Sequence, residues 1–154
     1  MADGTERAGG TVKAALVDHP PRRLAGMAWE GTYAEAADGA VRRLIEELCR
    51  RLDGRPETLW GVSWEDRPDG FRHFAGIEAA EAVPGLERLD LPALTSLTAD
   101  HTGGDATGVY GALQALRDRR GMARRPGGPD MLDEHRRDGS PPMRAHLVVA
   151  EQNG

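Results

Sequence analysis

Apolar side chains recur at Ala34, Ala37, Val41, Leu44, Ile45, Leu48 and Leu52. That spacing draws one stripe along a helix. Arg42, Arg43, Glu46, Glu47, Arg50 and Arg51 lie off the stripe, with Glu46/Arg50 and Glu47/Arg51 one turn apart. Thr32 and Glu35 form T-x-x-E, a capping box, and Gly54 is a natural stop. The pattern predicts a helix that begins at Tyr33 and ends before Gly54. Cys49 borders the stripe as a small core residue.

Elsewhere the period shortens. Val12–His19 and Arg22–Glu30 read as extended segments, divided by Pro20-Pro21, which no helix crosses. Thr58–Trp64 and Phe71–Ala79 read as a hairpin across "EDRPDG". "LERLDLPALTSLTADH" gives two more extended pieces around Pro92. "ATGVYGALQALRDRRG" predicts a second helix, with Val109, Ala112, Leu113 and Leu116 inward and Gly121 at its end. "ARRPGGPD" reads as a loop, "DMLDEHRRD" as a short helical turn, and Arg144–Ala150 as a closing strand.

The order repeats. Pro20 and Pro92 stand 72 residues apart, as do Gly31 and Gly103, Ala37 and Val109, Val41 and Leu113, Leu44 and Leu116, Arg72 and Arg144, and Ile77 and Val149. This supports a duplication, with repeats at about 12–80 and 84–150. Each repeat is strand, strand, helix, strand, strand, although "MLDEH" interrupts the second. The predicted fold is α+β: one curved antiparallel sheet, both helices on one face, and a ligand groove at the pseudo-twofold on the other.

Composition narrows the chemistry. A chain of 154 residues, 39% hydrophobic, supports one domain over 12–154. The net charge of −5 and the pI of about 5.5 argue against a basic nucleic-acid surface, and "RRPGG" and "EHRR" are too short to make one. Cys49 is alone, so no intrachain disulfide forms. No apolar run approaches the ~18 residues of a membrane span. "MADGTERAGG" has no apolar signal core, so 1–11 reads as a disordered lead-in to a cytoplasmic protein. The histidines lack metal-ligand spacing, and "GGDATG" lacks the Lys-Ser/Thr of a phosphate loop. The expectation is no metal, no cofactor, no membrane and no direct nucleic-acid contact; no partner protein is indicated.

Three stretches then carry a resemblance: "PPRRLAGMAWEGTY", "WGVSWEDRPDGFRHFAGIE" and "PDMLDEHRRDGSPPMRAHLVV". In this order, from about Val12 to Ala150, they resemble the GyrI-like family, also called the AraC-type effector-binding domain, in its stand-alone form. The resemblance implies the duplicated fold and a pocket for bulky, often planar or cationic, organic molecules. It also implies a role in drug tolerance; some related stand-alone proteins are similar to hydrolases of DNA-alkylating cyclopropane compounds. Thr32 replaces the family's Pro after Gly31, and Gly103-Gly104-Asp105 lacks the aromatic at the matching place. The acid that many members carry early in the closing strand stands here as His146, and the often acidic place in the first hairpin as Phe74.

Aromatic residues are scarce, 5% of the chain, yet Trp29, Tyr33, Trp60 and Trp64 all fall beside the predicted groove. Their faces suit a hydrophobic planar ligand, and core packing suits each Trp equally well. Tyr33 matches the family's helix-entry tyrosine. Tyr110 joins from the second helix, off its main stripe. Glu78 is either a solvated strand-end carboxylate or a base for water; His146 is either a core histidine or a ligand contact. Two functions follow. The first is a drug-binding module with an aromatic-lined pocket, for resistance or sensing. The alternative is a hydrolase adding water to cyclopropane-type electrophiles, with Glu78 and Tyr33 catalytic.

Overall fold

The Thr32 hydroxyl accepts the Glu35 N–H at 3.1 Å, and the Glu35 carboxylate accepts the Thr32 N–H at 2.8 Å. The capping box therefore starts helix α1 (Tyr33–Ala37) as its spacing predicts. The stripe that follows is not one helix. Asp38-Gly39 interrupts it, with Gly39 left-handed at φ 99°, and helix α2 (Ala40–Arg51) begins afresh.

The computed structural model describes residues 7–8, 12–101, 106–139 and 141–151. The strands are β1 (Arg7–Ala8), β2 (Val12–Lys13), β3 (Ala15–His19), β4 (Arg22–Thr32), β5 (Thr58–Arg67), β6 (Gly70–Glu78), β7 (Glu87–Leu91) and β8 (Leu94–His101). Helix α3 (Thr107–Arg119), β9 (Met131–Arg136) and β10 (Met143–Val149) follow. Within the expected lead-in, Arg7 and Ala8 pair with Lys13 and Val12; the remainder of 1–11 and the Gly103-Gly104-Asp105 place lie outside the described residues. "MLDEH" is a strand, not a helical turn. Its charges are compatible with a strand because Asp133 and Glu134 meet polar partners on opposite faces: Tyr110 on one, His146 on the other.

The large sheet is antiparallel, in the order β3-β8-β10-β9-β5-β6-β4-β7. Exchanging each strand with its counterpart in the other repeat leaves this order unchanged. The register agrees: Ala15 pairs with Thr98, and their counterparts Glu87 and Gly26 pair with each other. Gly61 pairs with Asp133, its own counterpart, so the pseudo-twofold passes between them. In β10 the offset is 70 rather than 72, because Thr98 pairs with His146 where Gly26 pairs with Gly76. Arg144 therefore matches Phe74, and Leu147 matches Ile77. The repeats do not simply abut, since β3 lies on β8 and β7 on β4. Each repeat lends its first strand to the other.

This exchange forces curvature. Only Pro20-Pro21 separates β3 from β4, first and seventh in the order, so His19 and Arg22 lie within about 11 Å. On the face away from the helices, Leu24, Trp60, Val62, Phe74, Leu132 and Val148 are buried by the curl itself. The groove expected on that face is filled with side chains. On the other face α3 buries Val109, Tyr110, Leu113 and Leu116 against β8 and β10. Leu113 and Leu116 are fully buried, worth about 1.5–3 kcal/mol each. Helix α2 packs less closely: Leu48 is buried, while Leu44, Ile45, Cys49 and Leu52 are only partly covered. No helix among the described residues is long and apolar enough to cross a membrane.

Candidate functional site

An open pocket lies on the helix side, beside the C-terminal half of α2. Strand alternation points Leu59 and Ser63 of β5, with the Gly61 position between them, and Met131, Asp133 and His135 of β9, toward the helices. Between α2 and these strands is a pocket of about 770 Å³, lined by Ile45, Cys49, Arg55, Leu59 and His135 among others. From α3, the Tyr110 hydroxyl lies 2.5 Å from Asp133 Oδ1 and 2.9 Å from the Leu132 carbonyl oxygen. Burial, with the Asp133 charge, holds its pKa well above the usual range. On the Gly61 side, Ser63 Oγ and His73 Nδ1 lie 2.8 Å apart. Burial lowers the pKa of His73, with His135 acting in the same direction and Asp133 opposing. His135 is likewise lowered, first by burial and then by Arg55, against Asp133.

A row of rings leads outward from His73. Phe71 stands perpendicular to it at 6.3 Å, Trp29 meets Phe71 edge-on at 5.3 Å, and Tyr33 stacks on Phe71 at 5.4 Å. These spacings are those of favourable aromatic pairs. Tyr33 remains 44% exposed, unusual for so large a ring, and donates its hydroxyl to Glu65 at 2.9 Å. Partial burial and then this bond push its pKa up to about 12. Glu65 is anchored in turn: its N–H donates to Asp130, which Arg124 pairs.

The opposite face holds a closed polar chain. Arg22 donates to His19 Nδ1 at 3.2 Å, so His19 Nε2 carries the ring proton and donates to Ser96 Oγ at 2.7 Å. Ser96 meets Thr98 at 2.8 Å, Thr98 meets His146 Nδ1 at 2.7 Å, and His146 Nε2 donates to Glu134 at 2.9 Å. Burial, then the nearby His146 and Arg22, lowers the pKa of His19 to about 4. The bond from His146 lowers that of Glu134 against its partial burial. Arg22 also lies over the Trp60 ring at 4.2 Å.

The expected site residues thus divide between the faces. Trp29, Tyr33 and Tyr110 belong to the helix side, with Tyr110 buried rather than exposed. Trp60, Trp64, Glu78 and His146 belong to the other. Trp60 is 4% exposed, Trp64 sits under Arg72 at 4.7 Å, and Glu78 pairs with Arg22 at 3.6 Å. Glu78 and Tyr33 are not neighbours: they flank opposite ends of the nine-residue β6, about 26 Å apart along the strand. Gly61, Ser63, Phe71, His73 and Asp133 escaped the sequence reading. The available signal was Gly61, a side-chain-free residue amid the bulky "LWGVSW".

No family model matches the sequence, and no curated protein does. Solved structures do match. SAV2435 bound to tetraphenylphosphonium superposes with a TM-score of 0.66 at 9% identity, over 88% of this chain and 93% of that one. The EcmrR C-terminal domain gives 0.62 at 11% identity, over 92% and 99%. The integron cassette protein VCH_CASS2, from the mobile metagenome of Vibrio cholerae, gives 0.58 at 11%, over 90% and 95%. At such identities the likeness is one of fold, and that fold, an α+β curved sheet with helices on one face, is consistent with the GyrI-like effector-binding resemblance.

Proposed function

We propose that this chain binds hydrophobic, planar organic molecules in the helix-side cleft at the pseudo-twofold, in drug resistance or sensing. One observation carries the reading: Phe71, stacked with the exposed Tyr33 and met edge-on by Trp29, continues a row of rings inward to His73. The exposed Tyr33 ring beside half-buried Phe71 and Trp29 is costly to hydrate and suited to cover a flat ligand. The similar fold of SAV2435, solved with a bulky aromatic cation, adds support. Titration with planar aromatic compounds should quench tryptophan fluorescence, and Trp29→Phe should remove most of the quenching. Quenching that survives Trp29→Phe and vanishes in Trp60→Phe would move the site to the other face. The alternative, a hydrolase with Glu78 and Tyr33 catalytic, has these two residues at opposite ends of β6; a mass gain of water after incubation would favour it.

A further inference from the structure

Tyr33 stands on a helix that packs nothing inward. No α1 side chain is buried, and Gly39 breaks the helix just beyond it. The ring is oriented by its stack on Phe71 and by the bond from its hydroxyl to Glu65. An irregularity places Glu65 for this. The β5–β6 register shifts between Trp64 and Arg67, which takes Glu65 out of the ladder with β6. Such shifts re-aim side chains. The Glu65 N–H donates to Asp130 Oδ2 at 2.7 Å, and its carbonyl oxygen accepts from Arg124 at 3.3 Å. Asp130 is only 5% exposed. Arg124 meets its Oδ1 with Nε at 2.8 Å and a second nitrogen at 2.7 Å. The Asp130 backbone is bonded on both sides, to Ser63 and to Val148. A carboxylate held at so many points is a fixed anchor. Asp130 and Arg124 lie between α3 and β9, in the second repeat; Tyr33 and Glu65 belong to the first.

We infer that Asp130 and Arg124 are positioning residues for the ligand cleft: they fix Glu65, and Glu65 holds the Tyr33 ring in the half-exposed pose that covers a flat ligand. This rests on the reading of the Trp29–Phe71–Tyr33 row as the ligand site. A ring already fixed loses less freedom on binding, so affinity falls when the pose is released, even with the ring intact. The second repeat thereby controls a binding surface built from the first.

The test titrates 2-naphthol, flat and uncharged, into the full chain by calorimetry. Arg124→Met cuts the anchor at a side chain 56% exposed, and Asp130→Asn keeps the buried shape while removing the charge. Each should weaken binding about two- to tenfold, the range for immobilising one side chain, and Glu65→Ala should do the same. Tyr33→Phe retains the ring and lacks the bond. On that background none of the three should weaken binding further; losses of equal size on both backgrounds would mean a merely structural role and overturn the inference. The phenol gives a second readout. The alkaline absorbance step that Tyr33→Phe removes lies near pH 12 in the parent, and Glu65→Ala and Asp130→Asn should each shift it down. A step that stays in place, in variants folded by circular dichroism, would also overturn the inference. Parent-like affinity in all three variants would remove the positioning and leave the cleft standing. No saturable binding by the parent would overturn the cleft reading and the positioning with it.

Discussion

The two faces of the sheet bury similar groups and use them differently. On the curled face, His19 and His146 sit within one chain from Arg22 to Glu134, with each ring nitrogen paired. On the helix face, His73 is as deeply buried and has one nitrogen unpaired. A satisfied polar network holds a structure together; an unsatisfied one awaits a partner. Indole and histidine content alone would have favoured the curled face, where Trp60 lies parallel to His146. The pairing of the histidines separates the two faces; the Trp60 indole N–H, on the curled face, is buried without a partner as His73 Nε2 is on the other.

The contrast predicts that changes on the curled face alter stability and changes on the helix face alter binding. His146→Ala should have the largest effect, about 3 kcal/mol or more of stability in urea unfolding, since it leaves Thr98 and Glu134 without their partner. A variant as stable as the parent would show the chain to be dispensable.

Acid should act on the same face nearly as strongly. His19 is held near pKa 4 in the fold, whereas the unfolded chain takes up its proton near 6.5. The unfolded state therefore binds more protons as pH falls between these values. Stability from this group is complete above about 6.5 and drops on the order of 3 kcal/mol by pH 4. His73 and His135, both lowered by burial, add in the same direction, and Glu134 follows at more acid pH. Unfolding midpoints at pH 7 and 4.5 measure the slope, and His19→Gln should flatten part of it. Equal midpoints in the parent would contradict a buried, neutral His19.

On the helix face, Tyr33→Ala should weaken binding of a planar aromatic ligand by about 1–3 kcal/mol, while Trp64→Ala leaves it unchanged. Calorimetry on both variants decides; the reverse result would exchange the roles of the two faces. The smallest effect belongs to the helix start. Thr32→Ala should cost about 1 kcal/mol of stability and spare affinity. If affinity falls while stability holds, the cap is part of the site.

Local features were legible in the sequence. The Thr32–Glu35 box, the Pro20 and Pro92 breaks and the apolar stripe of α3 each act within a few residues, and each is found as expected. The Asp38-Gly39 break was equally local, but a longer apolar stripe masked it. Strand β9 was hidden for a different reason. Asp133, Glu134 and His135 alternate polar with polar because both faces offer polar partners, so period-two hydrophobicity is lost. The sites themselves are products of register. Ser96 and His146 meet across β8 and β10, and His73 reaches Gly61 and Asp133 across β6, β5 and β9. No spacing along one segment encodes such meetings.

The exchanged first strands have a consequence for how this chain is assembled. Without β7, the repeat containing β4 lacks its outer strand; without β3, the repeat containing β8 lacks the same one. Neither half is a complete folding unit, yet the two are complementary. A break in the 79–86 loop between β6 and β7 should yield fragments that are unstable separately and reconstitute when mixed. The same reciprocity suits an ancestral half-length chain that worked as a pair of identical copies trading strands, with Gly61 and Asp133 descending from one position that faced itself across the axis.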